Sequence, residues 1–354
     1  MAVTRQDIEA QLARIELPGG GNLVARDMVR ALAVEGRKVR FVIEAPSPAM
    51  ARQMEPLRAA TERAVLALEG VDEVSVVLTA HGPDPAPTGL KIGGHPKPQA
   101  GPLKPVNVAS IIAIGSGKGG VGKSTVSSNL AVALARAGRR VGLLDADIHG
   151  PSQPRMMGVS QRPASADGKI IEPLSAHGVK LMSIGLMVDP AKAVVWRGPM
   201  LMGALQQMIG QVNWGALDVL LVDLPPGTGD VQLTLCQRAE PTGAIIVSTP
   251  QDVALLDARK ALDMFRTLKT PVLGLIENMS LFHCPNCGHE AHIFGHGGVS
   301  DEAAALELPL LGMLPIDLET RIAGDAGTPV AAGEGEMAQA YARLAEGLVR
   351  GGVA

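Results

Sequence analysis

The sequence predicts an α/β protein in which a mostly parallel sheet is covered by helices on both faces, preceded by a small α+β domain. Beyond residue 106, short apolar runs alternate with helical stretches, which is typical of parallel sheets buried on both faces. A second, smaller set of strands and helices precedes it, and a segment dense in Pro and Gly lies between the two. We therefore expect an accessory domain over 1–80, a linker over 81–106 and the main domain over 107–354.

The small domain begins with a helix signal. Thr4 followed by Asp7 is typical of an N-cap with an acidic residue in the first turn, and Ile8, Leu12 and Ile15 follow at helical spacing. The later elements are predicted as a strand Val39–Ala45, a helix over about 48–69 and a strand Glu73–Leu78.

The main domain shows the alternation most clearly. Strands are predicted at 108–114, 141–145, 218–223, 243–248, 272–277 and 309–313, and helical stretches at 123–137, 199–211, 231–238 and 253–268 and near 300. An amphipathic stretch, 336–349, is predicted to pack on the core, since it has few basic residues for a membrane surface. Because ligands of parallel sheets bind at the carboxyl ends of the strands, we expect the chemistry just after them.

The amino-acid composition argues against several classes of function. The net charge of −3 gives no general attraction to nucleic acid or anionic lipid, and 2% aromatic residues provide no platform for stacking bases. No apolar run approaches the roughly 18 residues of a membrane span, and the start lacks the pattern of a secretory signal. We expect a cytoplasmic protein that binds neither nucleic acid nor membrane, and three cysteines provide no disulfide framework.

The stretch "IGSGKGGVGKST", 114–125, fits a phosphate-binding loop placed between a predicted strand and a predicted helix. Its glycines let backbone N–H groups turn toward phosphate oxygens, Lys123 reaches the terminal phosphates, and Ser124 offers a hydroxyl to Mg²⁺. The predicted nucleotide contacts are Gly117, Lys118, Gly119, Gly120, Val121, Gly122, Lys123, Ser124 and Thr125. Since one lysine suffices inside the loop, Lys118 is available for a different phosphate group.

Carboxylates follow two of the predicted strands. One strand ends in Asp145-Ala-Asp147, and another ends in Asp223-Leu-Pro-Pro-Gly227. Such carboxylates can hold Mg²⁺ through water and position an attacking water. Taken singly, each Asp is equally compatible with a cap or turn residue.

The residues "KGGVGKST", "DADIHGPS" (145–152) and "VDLPPGTGD" (222–230) resemble the deviant Walker A ATPases, the class that includes MinD, ParA and nitrogenase iron protein. The resemblance implies ATP hydrolysis in a homodimer, where the extra lysine reaches the nucleotide of the facing subunit. It implies these roles: Lys118 as the trans-acting lysine, Lys123 as the loop lysine, Ser124 as Mg²⁺ ligand, Asp147 as water-orienting residue, Asp223 in the Walker B role and Asn278 at the adenine.

A second candidate site is the stretch "FHCPNCGHEAHIFGHGG", 282–298, with Cys284, Cys287 and four histidines. Three interpretations compete. A redox disulfide pair usually opens a helix, whereas Pro285, Asn286 and Gly288 favour a loop. A structural zinc site would recruit His289 and His292 within one chain. An iron-sulfur cluster is the third.

A cubane cluster usually needs four thiolates, and one chain supplies two that are paired. Two chains related by a twofold axis would supply four, so the extra lysine and the half-set of cluster ligands both point to a homodimer. The third cysteine, Cys236, lies in a predicted helix, and we expect it to be a buried apolar residue.

The chain resembles the Mrp (ApbC) family of iron-sulfur cluster carrier proteins over nearly all of 107–350. The resemblance rests on the motifs above together with "WRGPM" (196–200), "TPQDVALLD" (249–257), "ENMS" and "CPNCG". The resemblance implies an ATPase that holds a cluster, expected to be [4Fe-4S], at a homodimer interface and passes it to apoproteins. Residues 1–80 are similar to the accessory domain of bacterial members, but "EAPSPAM" (44–50) lacks the cysteine of related domains, so independent cluster binding there is not expected.

Two rival functions remain open from the sequence. One is a MinD/ParA-like spatial organiser, which would need a basic membrane helix or a DNA-binding patch, and neither is evident. The other is a zinc-stabilised enzyme similar to nucleotide kinases, which would bind zinc stoichiometrically and be colourless.

Overall fold

The structure is a computed structural model that describes residues 3–15, 17, 20–45, 54–68, 70–80, 105, 107–148, 150–165, 168–187 and 198–354. The chain divides into two compact units, Met1–Pro87 and Thr88–Ala354. Nearly all of the predicted linker, the start of the helix predicted from about 48, most of "EAPSPAM" and the first two residues of "WRGPM" lie outside the described residues. The predicted domain boundaries therefore stay predictions.

The first unit contains α1 (Arg5–Leu12), β1 (Val29–Glu35), β2 (Lys38–Ala45), α2 (Glu55–Leu66) and β3 (Glu73–Ala80). The three strands form a sheet in the order β1-β2-β3, with β1 antiparallel and β3 parallel to β2. Thr4 and Asp7 form the capping box that the sequence indicates, and Ile8 and Leu12 are buried. Ile15, grouped with that helix by its spacing, lies beyond the helix end.

Strand β1 was not predicted. Its register against β2 shifts between Arg30 and Ala33, and Ala31 has a φ of +52°. A bulge of this kind breaks the alternation of inward and outward side chains on which strand prediction depends.

The second unit is built on a nine-stranded sheet, counted over the described residues. Its strands are β4 (Val108–Gly115), β5 (Val141–Asp145), β6 (Leu174–Ala176), β7 (Val179–Ser183), β8 (Leu217–Asp223), β9 (Gly243–Ser248), β10 (Val272–His283), β11 (Glu290–Ala291) and β12 (Leu310–Ile316). Their order is β11-β10-β9-β4-β8-β5-β7-β6, and β12 pairs with β10. Strands β6 and β11 are antiparallel to their neighbours and all other pairs are parallel, which confirms the predicted sheet.

Helices connect these strands and cover them. They are α3 (Lys123–Arg136), α4 (Gln153–Met156), α5 (Ile184–Met187), α6 (Gly198–Gly210), α7 (Asp230–Ala239), α8 (Asp252–Thr267), α9 (Gly298–Ala305), α10 (Leu318–Ala326) and α11 (Glu336–Arg350), with a short 3-10 helix at Val330–Ala332. Among the described residues, every helix is too short or too polar to cross a membrane.

The sheet is buried on both faces. Ile111 and Ala113 of β4 belong to one apolar core, whereas Ile112 and Ile114 belong to another. Successive residues of a strand point to opposite faces, so the uninterrupted apolar run of β4 follows from having helices on both sides. Helix α11 buries Tyr341, Leu344 and Leu348 in the second core, as predicted for the amphipathic stretch.

The sequence placed the end of one strand wrongly. Strand β10 continues to His283 instead of ending at 277, and its last residues pair with β11 to form a hairpin. The apolar run stops at Glu277 and Asn278, but both residues are buried and the backbone keeps pairing with β12. The segment with the cysteines therefore begins directly at the end of strand β10.

Candidate functional site

The loop between β4 and α3 has the geometry of an anion cradle. Gly120 and Gly122 both have a φ of +82°, and Gly122 precedes α3 without a side-chain cap. A Cβ added at Gly122 would lie 2.2 Å from Nδ2 of Asn278. Because the first N–H groups of α3 have no capping side chain and the helix dipole is positive there, this loop can receive phosphate.

The start of the loop lies against helix α8. A Cβ added at Gly117 would come within 2.1 Å of the carbonyl carbon of Asp257, so only glycine fits there. Lys118 follows, and its Nζ donates to Oε1 of Gln251 at 3.2 Å, directly before α8. In this structure Lys118 is thus held by its own subunit.

Lys123 and Asp223 form a buried ion pair at the bottom of the cradle. Nζ of Lys123 lies 2.5 Å from Oδ1 of Asp223, and their side chains are 6% and 0% exposed. Ser127 Oγ donates to the same oxygen at 3.0 Å, and Nε2 of Gln153 donates to Oδ2 at 2.8 Å. Each oxygen of the Asp223 carboxylate has a partner, as a buried charge requires.

Asp145 lies beside Asp223, since the two residues are partners in the parallel pairing of β5 and β8. Burial and then the charge of Asp223 raise the pKa of Asp145 to about 7, against hydrogen bonds that lower it. Ser183 Oγ and the Gln153 backbone N–H donate to Oδ2 at 2.9 and 3.2 Å, and the Asp147 N–H donates to Oδ1 at 3.1 Å. Two adjacent carboxylates therefore repel each other when both are ionised.

The donor set fits Mg²⁺. Carboxylate and hydroxyl oxygens are its preferred ligands, and a divalent cation would offset the repulsion between Asp145 and Asp223. Ser124 lies at the same edge, with Lys123 Nζ 3.4 Å from its Oγ. Asp147 is half-buried and accepts the Gly150 N–H at 3.3 Å, at the start of the segment that leads to α4.

The raised pKa of Asp145 predicts how stability depends on pH. Between the ordinary value of 3.8 and about 7 the folded protein holds a proton that the unfolded chain has lost. The free energy of unfolding should therefore fall as pH rises through this window, by at most about 1.4 kcal/mol per pH unit. Urea unfolding followed by tryptophan fluorescence, to which the buried Trp214 contributes, measures this free energy. Asp145→Asn should flatten this slope, and an unchanged slope in that variant would contradict the assignment.

Asn278 was assigned to the adenine by resemblance. Its side chain is buried, and Nδ2 donates to the carbonyl oxygen of Val121 at 2.9 Å. The residue therefore contacts the phosphate loop itself, and contact with a base stays a prediction.

Cys284 and Cys287 lie in a tight turn between β10 and β11. The Cys284 N–H donates to the His289 carbonyl at 2.9 Å, and the Gly288 N–H donates to the Cys284 carbonyl at 2.9 Å. The backbone N–H of Asn286, followed by that of Cys287 and by the Cys287 thiol, lowers the pKa of Cys284. Cys284 is half-buried and Cys287 exposed, so the turn presents two thiols and favours a thiolate.

The turn separates the three interpretations of the cysteine pair. Both cysteines precede the two-residue strand β11, so the pair does not open a helix. His283 approaches Glu290 at 3.6 Å, and the rings of His292 and His296 lie 4.3 Å apart. Among the described residues no three Cys, His, Asp or Glu side chains gather to hold a metal ion. This geometry does not assemble a zinc site from one chain.

Cys236 is buried in the core, and burial raises the pKa of its thiol to about 11. This confirms it as an apolar core residue.

Sequence reasoning missed two polar side chains of the site and one buried carboxylate behind it. Gln153 and Gln251 contact the predicted residues, and Glu277 is fully buried beside Asn278. Gln251 stands in "TPQDVALLD" and Glu277 in "ENMS", but neither spacing indicates a contact.

Two family models match the chain. One described as NUBPL iron-transfer P-loop NTPase matches residues 107–349, and one described as iron-sulfur cluster assembly protein matches residues 5–76. The chain is 44% identical over 351 residues to an iron-sulfur cluster carrier protein of Synechocystis sp., covering 96% of this chain and 92% of the relative. It is 48% identical over 252 residues to the iron-sulfur cluster transfer protein NUBPL of Mus musculus, covering 70% and 79%.

Solved structures show the same fold. A nucleotide-binding protein of Archaeoglobus fulgidus in complex with ADP is 42% identical, with a TM-score of 0.55, over 62% of this chain and 87% of that chain. The septum site-determining protein MinD of Pyrococcus horikoshii, complexed with Mg-ADP, is 25% identical, with a TM-score of 0.53, over 69% and 98%. These likenesses confirm the predicted fold class.

Proposed function

Because the chain belongs to the family of P-loop NTPases that carry and transfer iron-sulfur clusters, we propose that it binds a [4Fe-4S] cluster between two subunits and delivers it to apoproteins under control of ATP. In this proposal Cys284 and Cys287 of each subunit provide the four thiolates, and the cluster is the cargo. The chain hydrolyses ATP to ADP and phosphate.

One observation carries the cluster proposal. The turn at Cys284 presents two thiols with backbone N–H groups directed at one sulfur, and the described residues add no third ligand. A cubane cluster held by four thiolates then needs a second copy of the turn, which a twofold axis provides. Since Cys287 is exposed, the cluster would lie near solvent, which suits transfer.

The ion pair of Lys123 and Asp223 supports the nucleotide part. Entering phosphates would draw the Lys123 ammonium toward the loop, and the freed Asp223 carboxylate would then be available, with Asp145 and Ser124, to hold Mg²⁺. When bound, Mg²⁺ would neutralise charge on the phosphates. Asp147 would orient the attacking water, Asn278 would contact the adenine, and Lys118 would reach the nucleotide of the partner subunit.

Reconstitution under anaerobic conditions tests the proposal. The loaded protein should show broad visible absorption from sulfide-to-iron charge transfer and contain about two iron and two sulfide per subunit, with the mass of a dimer. Mixing it with an apo iron-sulfur protein should move the absorption to the recipient. A colourless protein with one zinc per chain, or a loaded single subunit, would contradict the proposal. A colourless ATP-binding dimer would instead favour the spatial organiser.

A further inference from the structure

Strand β10 passes both candidate sites. Asn278 contacts the phosphate loop through the carbonyl of Val121, and five residues later the strand ends at His283, next to Cys284. Between them Met279 has a φ of +57°, in the left-handed region, and the pairing of β10 with β12 shifts register between Asn278 and Phe282. A non-glycine residue in that region is strained and marks a distinct bend of the strand. The phosphate loop and the cysteine turn thus share one bent strand.

Glu277, the residue before Asn278, connects the other end of the cysteine segment to this strand. Its carboxylate is fully buried, and Oε2 accepts the backbone N–H of Val299 at 3.0 Å. Val299 lies in the first turn of α9, which begins directly after the segment 284–297. The carboxylate therefore lies at the positive N-terminal end of α9. It links the strand before the cysteine segment to the helix after it.

Helix α9 has a second link toward the nucleotide site. Glu302 of α9 accepts two hydrogen bonds from Arg259 of α8, at 2.8 and 2.6 Å. A Cβ added at Gly298 would lie 2.6 Å from the carbonyl oxygen of Pro250. The next residue, Gln251, accepts the hydrogen bond from Lys118. Helix α9 therefore contacts β10, which carries Asn278, and also contacts α8 and Pro250 next to Gln251.

Among the described residues, only one oxygen of the Glu277 carboxylate has a hydrogen-bond partner. Its Oε1 is buried and has no hydrogen-bond partner among the described residues, whereas buried acceptors in folded proteins are almost always paired. Among the described residues, the contact of Glu277 with α9 is therefore made through Oε2 alone.

We propose that Glu277 is a positioning residue that couples the occupancy of the phosphate loop to the geometry of the Cys284 and Cys287 turn. The proposal rests on the proposed function, and it names the route by which nucleotide acts on the cargo. A phosphate that moves the Val121 carbonyl shifts Asn278 on one face of β10. Since neighbouring strand residues point to opposite faces, Glu277 transmits that shift to α9 on the other face.

Hydrogen exchange of the apoprotein, with and without Mg-ADP, tests this inference without requiring a cluster. In the unmodified protein, Mg-ADP should change the exchange rate of amides in 284–299 by about fivefold or more. Glu277→Ala should speed exchange of the Val299 amide about tenfold or more and abolish the effect of Mg-ADP on 284–297. Its affinity for ADP should stay within about threefold of the unmodified protein, because Glu277 does not touch the loop.

Two conservative variants separate positioning from general stability. Glu277→Gln keeps a side-chain oxygen that can accept the Val299 N–H, so it should restore the response to Mg-ADP. Glu277→Asp keeps the charge but is one methylene shorter, so it should behave like the alanine variant, and it serves where alanine prevents folding. Persistence of the full response in Glu277→Asp would overturn the inference.

The matched control is Glu302→Gln, which weakens the attachment of α9 to α8 but leaves the contact with β10. It should keep the response to Mg-ADP, and an equal loss in this control would overturn a specific role for Glu277. Cluster content is measured separately. If the dimer binds a cluster but Mg-ADP does not change hydrogen exchange in the cysteine segment, the coupling alone is contradicted. If Mg-ADP changes that exchange but the protein never binds a cluster, the carrier function alone is contradicted.

Discussion

Replacing both Cys284 and Cys287 with alanine should abolish binding of the iron-sulfur cluster while nucleotide binding persists. The turn between β10 and β11 provides the only paired thiols of the described residues, and each dimer would lose all four thiolates at once. The fold should tolerate the change because Cys284 is half-buried and Cys287 exposed. Iron and sulfide content after anaerobic reconstitution measures the first effect, and titration with ADP measures the second.

Cys236→Ala is the matched control, because it removes a cysteine that lies in the core between β-sheet and helices. Its thiol has a pKa raised to about 11 by burial, so it is a poor source of thiolate and should not contribute to cluster binding. Full cluster content is expected in this variant. Cluster content that survives in the double variant would reject the assignment of Cys284 and Cys287 as cluster ligands.

The sequence was sufficient for most of the sheet because strands buried on both faces are recognisable as apolar runs. It did not predict β6 (Leu174–Ala176) or β7 (Val179–Ser183), and it ended β10 wrongly because polar residues of that strand are buried. Glu277, Asn278 and Ser280 are polar yet buried in the continuation of β10, so the strand was ended too early and the hairpin with β11 was missed. Strand β1 was missed for a different reason, since its bulge interrupts the alternation.

The candidate site was predictable where the backbone demands a residue type. Gly117 and Gly122 are required by a close approach and by a positive φ, and such requirements show directly as glycines at fixed spacing. Side-chain partners were not predictable in this way. Lys118 and Gln251 are separated by 133 positions in the chain, and Glu277 reaches the backbone of Val299 across 22. These contacts depend on how helices pack on the sheet, which no local spacing encodes.

Mixing two inactive variants should restore ATP hydrolysis. Lys118→Ala keeps an intact loop but lacks the lysine that would reach across the dimer, and Lys123→Ala keeps Lys118 but loses the lysine that would bind the terminal phosphates. Each variant alone should hydrolyse ATP about a hundredfold or more below the unmodified protein. In an equal mixture with random pairing, half of the dimers combine both subunits and each has one complete site. Phosphate release should therefore recover to about a quarter of the unmodified rate.

The control for this mixture replaces the second partner with the double variant Lys118→Ala, Lys123→Ala, which supplies no lysine to its neighbour and should restore nothing. The structure makes the experiment decisive because Lys118 is held by Gln251 of its own subunit at 3.2 Å. If Lys118 acts from that position on its own loop, the Lys118→Ala site lacks it in every pairing and the mixture stays inactive. Recovered hydrolysis requires that one subunit release this lysine to the nucleotide of the other, and the same facing pair would bring the two cysteine turns together.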